Sequence, residues 1–177
     1  MENRILIVYA SKYGSTAEIA EYIGQVLRNM GIEVDVSSVN AVNDISQYEN
    51  IIIGSATRMD KLLSEAVKFA TKYESKLRRM KTAYFIVGVT MKQDTPENRE
   101  KVKGFLEPFC RICEPISIGL FAGKLDYNKV GFAWKMMAKA DKSGIMEEGD
   151  FRNWDSIRKW ANEIAPAFDL PTNNRSQ

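Results

Sequence analysis

The sequence predicts an α/β fold, a three-layer αβα sandwich built on one five-stranded parallel sheet in the order 2-1-3-4-5, with an insertion before the last helix. Three observations lead there. Short, nearly continuous apolar runs alternate with amphipathic stretches, the pattern of strand–helix–strand units around a parallel sheet. The first apolar run passes directly into a Ser/Gly loop and then a helix. Right-handed crossovers leave few other orders for five such strands.

Taken along the chain, Ile5-Leu6-Ile7-Val8-Tyr9 reads as a central strand buried on both faces. Ile19, Ile23, Val26, Leu27 and Met30 follow at helical spacing, and Gly31 supplies the stop. Glu33 to Ser37 fits a second strand, and Ile51-Ile52-Ile53 before Gly54 and Ser55 a third. A helix is expected from about Asp60 to Leu77. Ala83 to Val87 reads as the fourth strand, Glu97 to about Cys113 as its crossover helix, and Ile116 to Phe121 as the fifth strand. The last helix begins near Trp154, turns Ile157, Trp160, Ala161 and Ile164 to the core, and is ended by Pro166 and Pro171. Residues 1–170 are expected to form one domain and 171–177 a frayed tail.

The stretch from Ala122 to Asn153, about 30 residues, is long for a connection. It mixes Phe132, Trp134, Met136, Met137 and Ile145 with Lys129, Lys135, Lys139 and Lys142, so part of it is expected to be a helix with one apolar face. Such a helix serves either as a packing lid or as a docking surface for a second subunit, a quinone or a membrane.

Bulk properties exclude several function classes. The net charge is +2, from 25 basic and 23 acidic residues, too mild a balance to argue for nucleic acid. The chain contains no histidine, which removes a His-based triad, a His-ligated metal and a His general base together. No apolar run approaches the roughly 20 residues of a membrane span, and Met1-Glu2-Asn3-Arg4 has no signal-peptide layout. A cytoplasmic protein is expected.

The candidate chemistry lies in Ser11-Lys12-Tyr13-Gly14-Ser15-Thr16, between the first strand and the first helix. A phosphate placed there meets unpaired backbone N–H groups and the positive end of the helix dipole. Ser11, Ser15 and Thr16 add hydroxyl donors, Lys12 is the only basic group, and Gly14 lets the backbone approach closely. Ser15 and Glu18 match a capping box. The spacing is neither that of a P-loop nor that of a dinucleotide fingerprint. On composition alone the same residues also suit a plain turn that caps the helix.

This loop after a hydrophobic first strand resembles the phosphate signature of the flavodoxin family, [ST]-x-[ST]-G-x-[ST], with Tyr13 standing where many members carry Thr or Ser. A backbone N–H can replace the missing hydroxyl. Ile53-Gly54-Ser55-Ala56-Thr57-Arg58, Phe121 to Tyr127 and the Trp- and Met-containing insertion before Asn153-Trp154 resemble the branch that includes menaquinone-dependent protoporphyrinogen dehydrogenases. The resemblance runs from Arg4 to about Ala165. It implies FMN across the carboxyl ends of the strands, its phosphate held by residues 11–16. It implies Ala56, Thr57 and Arg58 on one side of the flavin ring, and Val89, Thr90, Met91 and Lys92 on the other. Ala122, Gly123, Lys124 and Leu125 would complete the pocket.

The implied rim carries Arg58, Lys92 and Lys124 against Asp60 and Asp126, so cationic side chains either favour the reduced, anionic ring or point into water. Cys110 and Cys113 form a C-x-x-C near the end of the expected fourth helix rather than at a helix start, and are expected to pack rather than react. The functional expectation is an FMN-binding carrier of electrons between donor and acceptor proteins, homodimeric through the insertion in one reading. The alternative is a flavin oxidoreductase acting on protoporphyrinogen or a quinone. No residue is expected as a catalytic acid or base, and none as a metal ligand. A flavin-free receiver is disfavoured because Tyr9-Ala10-Ser11 lacks the Asp that such a domain phosphorylates.

Overall fold

A computed structural model describes residues 4–144 and 146–168. The tail expected at 171–177, Pro171 and Ile145 lie outside these residues. The strands are β1 (Arg4–Ala10), β2 (Glu33–Ser38), β3 (Asn50–Arg58), β4 (Lys61–Leu62), β5 (Lys81–Val87), β6 (Ser117–Phe121), β7 (Lys124–Leu125) and β8 (Gly149–Asp150). The helices are α1 (Ser15–Asn29), α2 (Ser64–Lys72), α3 (Glu74–Leu77), α4 (Pro96–Gly104), α5 (Glu107–Cys110), α6 (Phe132–Ala140) and α7 (Trp154–Ile164).

Parallel pairing joins β2-β1-β3-β5-β6, which in order of the long strands is the expected 2-1-3-4-5. Alternation along each strand divides the core between the two faces of the sheet. In β1, Leu6 and Val8 face the side covered by α2 to α5, with Ile51, Ile53, Phe69, Tyr84 and Phe109. Ile5 and Ile7 face the side covered by α1 and α7, with Ile19, Ile23, Ile52, Phe85 and Trp160. Burying one such side chain contributes about 1.5–3 kcal/mol, so the two layers supply most of the drive to fold. Gly54 in β3 is required by a close approach: a Cβ there would lie 2.0 Å from Cζ of Phe85, which covers it from the neighbouring strand.

The differences from expectation lie at element ends. The third strand runs on to Arg58 instead of ending at Ile53, because Ser55 and Ala56 pair with Ile86 and Val87 of β5. It then turns back through β4, with Thr57 opposite Leu62 and Arg58 opposite Lys61. The helix expected from Asp60 to Leu77 is therefore two helices, α2 and α3, divided at Tyr73. The crossover expected from Glu97 to Cys113 is likewise split into α4 and α5. α4 starts where Thr95 Oγ1 accepts the Asn98 N–H at 3.2 Å and Pro96 opens the first turn. α7 starts where expected, capped by Asn153, whose Oδ1 accepts the Ser156 N–H at 3.0 Å. The capping box is not formed. Gly14, not Ser15, is the residue before α1, no side chain caps the helix, and the Glu18 carboxylate turns to Arg152 instead.

The insertion contains the expected helix, α6, and also a two-strand ribbon, with Lys124 opposite Asp150 and Leu125 opposite Gly149. Phe132, Met136 and Met137 of α6 are exposed. Among the described residues no helix is long and apolar enough to cross a membrane.

Candidate functional site

In an open parallel sheet, ligands are expected beyond the carboxyl ends of the strands where the strand order reverses. Here that point lies between β1 and β3, which pair through Tyr9–Gly54 and Ala10–Ser55 at their ends. A cleft opens there. Its walls are the loop after β1, the end of β3, the end of β5 with Gly88 and Val89, and Gly123 to Leu125 after β6.

The loop after β1 is shaped by its backbone. The Gly14 N–H donates to Ser11 Oγ at 3.1 Å, closing a tight turn, and Gly14 sits at φ +99°, a left-handed conformation that favours glycine. Space does not demand glycine there, since a Cβ would meet nothing within 4 Å. The turn delivers the chain into α1 with the first-turn N–H groups and the positive end of the dipole facing the cleft. Thr16 lies in that first turn, fully buried, and its Oγ1 has no hydrogen-bond partner. A buried hydroxyl left unpaired costs about 1–3 kcal/mol unless a ligand completes it. The donors gathered here (a hydroxyl, helix N–H groups and Lys12) suit an anion, and the residues present fit the phosphate of FMN.

The side walls are set by close contacts. A Cβ on Gly123 would lie 3.2 Å from Ser15 Oγ and 3.0 Å from Val87 Cγ1, so the loop after β6 packs directly against the start of α1. A Cβ on Gly88 would lie 2.3 Å from Thr57 Oγ1, so Thr57 packs on the bare backbone that follows β5. The β3–β4 hairpin turns at Met59 and Asp60, both at positive φ, 50° and 58°. Neither is glycine, and a methionine held there stores about 1 kcal/mol or more of strain. Asp60 is held from outside by Lys101 of α4 at 2.9 Å, while Met59 is exposed at the tip.

Thirteen of the seventeen residues singled out in the sequence fall in or beside this loop system: Ser11, Lys12, Tyr13, Ser15, Thr16, Ala56, Thr57, Arg58, Val89, Gly123, Lys124 and Leu125 line the cleft, and Gly14 shapes it from behind. Thr90 does not line it. Met91 is buried in the core, and Met91, Lys92 and Ala122 border a separate concavity along the free edge of β6. Lys92 is turned to the insertion: its Nζ reaches Glu147 at 2.5 Å and the Gly144 carbonyl at 2.9 Å, and lies 4.2 Å from the Phe151 ring centre. Val87 and Gly88 line the cleft without having been singled out. The glycine directly after an apolar strand was the available signal for Gly88.

One buried cation ties the insertion to the site. The side chain of Arg152 is 6% exposed and bridges Asp150 at 2.5 Å and Glu18 in the first turn of α1, with its guanidinium 4.6 Å from the Trp154 ring centre. The hydrogen bonds it donates to Asp150 hold Arg152 firmly cationic, and Arg152 in turn holds the Asp150 carboxyl below its usual range.

The cysteines lie away from the cleft and are free thiols. Cys113 is half-buried, with Sγ 2.9 Å from Tyr84 Oη; Cys110 is exposed, not packed. Partial burial pushes the Cys110 thiol pKa up, with the neighbouring Cys113 adding to it, the opposite of an activated thiolate. Burial likewise raises the Tyr84 phenol. Among the described residues no cluster of acidic and thiol side chains could hold a metal ion.

Comparison with known proteins agrees with this geometry. A family model described as a flavodoxin domain matches residues 6–150. The chain is similar to the protoporphyrinogen IX dehydrogenase [quinone] of Escherichia coli K12, 25% identical over 96% of this chain and 98% of the relative. Among solved structures it resembles a Streptococcus pneumoniae TIGR4 flavodoxin, with TM-score 0.60 and 19% identity over 93% of this chain and 99% of that one. It also resembles a variant of a Fusobacterium nucleatum flavodoxin bound to flavin mononucleotide, with TM-score 0.59 and 17% identity over 93% and 96% of the two chains.

Proposed function

This chain belongs to the flavodoxin family, FMN-dependent carriers of electrons between redox partners, and we propose that its cleft at the β1–β3 switch point seats the FMN with the phosphate in the loop 11–16. The observation that carries this assignment is the buried, unpartnered Thr16 Oγ1 in the first turn of α1, behind the left-handed Gly14. Ser11 and Ser15 add hydroxyls, Lys12 adds a charge, and the α1 N-terminus orients the phosphate. Ala56, Thr57 and Arg58 border one side of the ring, Gly88 and Val89 the floor, and Gly123 to Leu125 the other side. Bound FMN supplies one- and two-electron redox chemistry, and the protein supplies position, shielding and charge. The chain acts as one domain, in the cytoplasm, between donor and acceptor proteins. The exposed Phe132, Met136 and Met137 of α6 support self-association through the insertion, which light scattering over a concentration series tests.

The test is stepwise anaerobic reduction of the purified protein, followed by visible absorption. A flavin that takes up electrons one at a time supports the carrier reading. A protein that neither contains flavin nor takes up added FMN contradicts it.

A second reading is direct action on a small molecule, as a protoporphyrinogen or quinone oxidoreductase. What favours it is similarity to the Escherichia coli dehydrogenase along nearly the whole of both chains, together with a ribbon, β7–β8, built beside the cleft. Turnover that needs protoporphyrinogen and a quinone together separates this reading from carriage alone.

A further inference from the structure

The charges around the mouth of the cleft are not evenly neutralised. Arg58 and Lys61 stand opposite each other on the two strands of the β3–β4 hairpin, and both are exposed. Neither side chain makes a hydrogen bond or an ion pair among the described residues. Lys124, also exposed, stands on the β7–β8 ribbon across the cleft. Lys12 lies between these groups and lines both the cleft and the hollow beside it that holds Arg58, Met59 and Lys61.

Most of the acids near this rim are already ion-paired: Asp60 is held by Lys101 at 2.9 Å, and Glu18 and Asp150 by Arg152. Glu65 and Asp126 accept only neutral donors, the Ser64 hydroxyl at 3.2 Å and the Asn128 N–H at 2.9 Å. Asp150 also feels the Lys124 charge across the ribbon. A bound FMN phosphate adds about −2 at neutral pH, but it sits at the α1 N-terminus, where the helix dipole and Lys12 offset it. Arg58, Lys61 and Lys124 remain as a cationic rim at the ring end of the cleft. At the tip of the hairpin, Met59 offers an exposed apolar side chain at the centre of the charged patch.

We propose that this rim is the docking surface for an electron-transfer partner with an acidic face, with Met59 as the apolar contact at its centre. The proposal rests on the carrier reading and names the kind of partner it serves. Complementary charge of this kind steers encounter, raising association rates by about 10- to 1000-fold at low salt, and loses its effect as ions screen it. Arg58 ends the strand that borders the cleft and Met59 follows it in the turn, so a partner seated there approaches the proposed flavin site directly.

Stopped-flow electron transfer with two protein probes of opposite charge tests this on the FMN-loaded protein. In one arm a reduced, acidic [2Fe–2S] ferredoxin gives up one electron from its cluster and the flavin gains it. In the other, pre-reduced flavin gives one electron to the haem iron of a basic ferricytochrome c. The ferredoxin rate constant is expected to fall at least about tenfold between 0.01 M and 0.3 M ionic strength, where the Debye length shrinks from about 30 Å to under 8 Å. The cytochrome rate constant is expected to rise over the same range. Lys61→Glu, which alters a residue outside the cofactor cleft, is expected to slow the ferredoxin reaction several-fold at low salt with FMN affinity unchanged. Lys61→Gln is expected to give a smaller change in the same direction. A ferredoxin rate that is flat or rises with salt, a faster low-salt reaction with cytochrome c, or Lys61 variants that leave both rates unaltered would overturn the proposal. Loss of the carrier reading shows itself differently, as a protein that holds no FMN at all.

Discussion

The loop 11–16 and the insertion both border the cleft at the β1–β3 switch point, yet they are held by different physics. The loop 11–16 is positioned by backbone: a strand buried in the sheet, a left-handed Gly14, a turn closed on Ser11, and the start of a helix whose inner face packs on Ile5 and Ile7. The insertion is positioned by side chains: Arg152 onto Glu18 and Asp150, Lys92 onto Glu147 and Gly144, and Tyr127 Oη onto the Met146 carbonyl at 2.7 Å. Backbone positioning makes a rigid seat that exists before the ligand arrives. Side-chain positioning, through charges that remain partly in water, makes an attachment that can be weakened piece by piece while the sheet stays folded.

This contrast predicts how the molecule breaks. The largest effect is expected in the shared support: Phe85→Ala empties the space over Gly54 and between Phe121 and Trp160, and should cost about 3–5 kcal/mol in denaturant unfolding. A loss below about 1 kcal/mol would mean that the sheet does not carry the seat. Arg152→Ala should cost less, about 2 kcal/mol, because Glu18 and Asp150 are half-exposed and regain water. Its signature is regional: amide exchange should accelerate over 146–151 while β1 and α1 keep their protection. Uniform acceleration across both regions would remove the distinction.

Thr16→Val separates seat from attachment in another way. The hydroxyl has no hydrogen-bond partner within the protein, so the apoprotein should be as stable as the wild type or slightly more so, while FMN binds about tenfold more weakly, about 1.4 kcal/mol. A destabilised apoprotein would show that Thr16 has a structural bond instead. The smallest effect concerns pH. Burial, together with the hydrogen bond to Asp35 at 2.7 Å, pushes the Tyr48 phenol up to about 12. A group whose pKa is raised on folding contributes stability below its unfolded value, near 10, and loses it as pH rises to the folded value. Stability should therefore decline between about pH 10 and 12, and Tyr48→Phe should flatten that decline.

The same contrast explains what could be read from the chain. The sheet order, the α1 start and the tight turn of the loop 11–16 were legible because local patterns decide them: apolar runs, a Gly in a Ser-rich turn, helical spacing in Ile19, Ile23 and Leu27. The hairpin at Met59 and Asp60 was not, since neither residue ordinarily signals a two-residue turn at positive φ. Lys92 was placed on the flavin rim by its position after β5, but its partner Glu147 lies 55 residues away in an insertion whose path no local pattern specified. Glu18 matched a capping box, yet its partner is Arg152, 134 residues on. Ion pairs across such distances leave no periodic trace in a single sequence.

Whether the loop 11–16 holds a phosphate can be measured by comparing the affinities of FMN and riboflavin, which differ by that phosphate alone, in the wild type and in Thr16→Val. The wild-type apoprotein is expected to bind FMN far more tightly than riboflavin, and Thr16→Val to narrow the gap about tenfold by weakening FMN while leaving riboflavin unchanged. Equal affinities in the wild type, or a Thr16→Val variant that weakens both ligands alike, would contradict the proposed phosphate site.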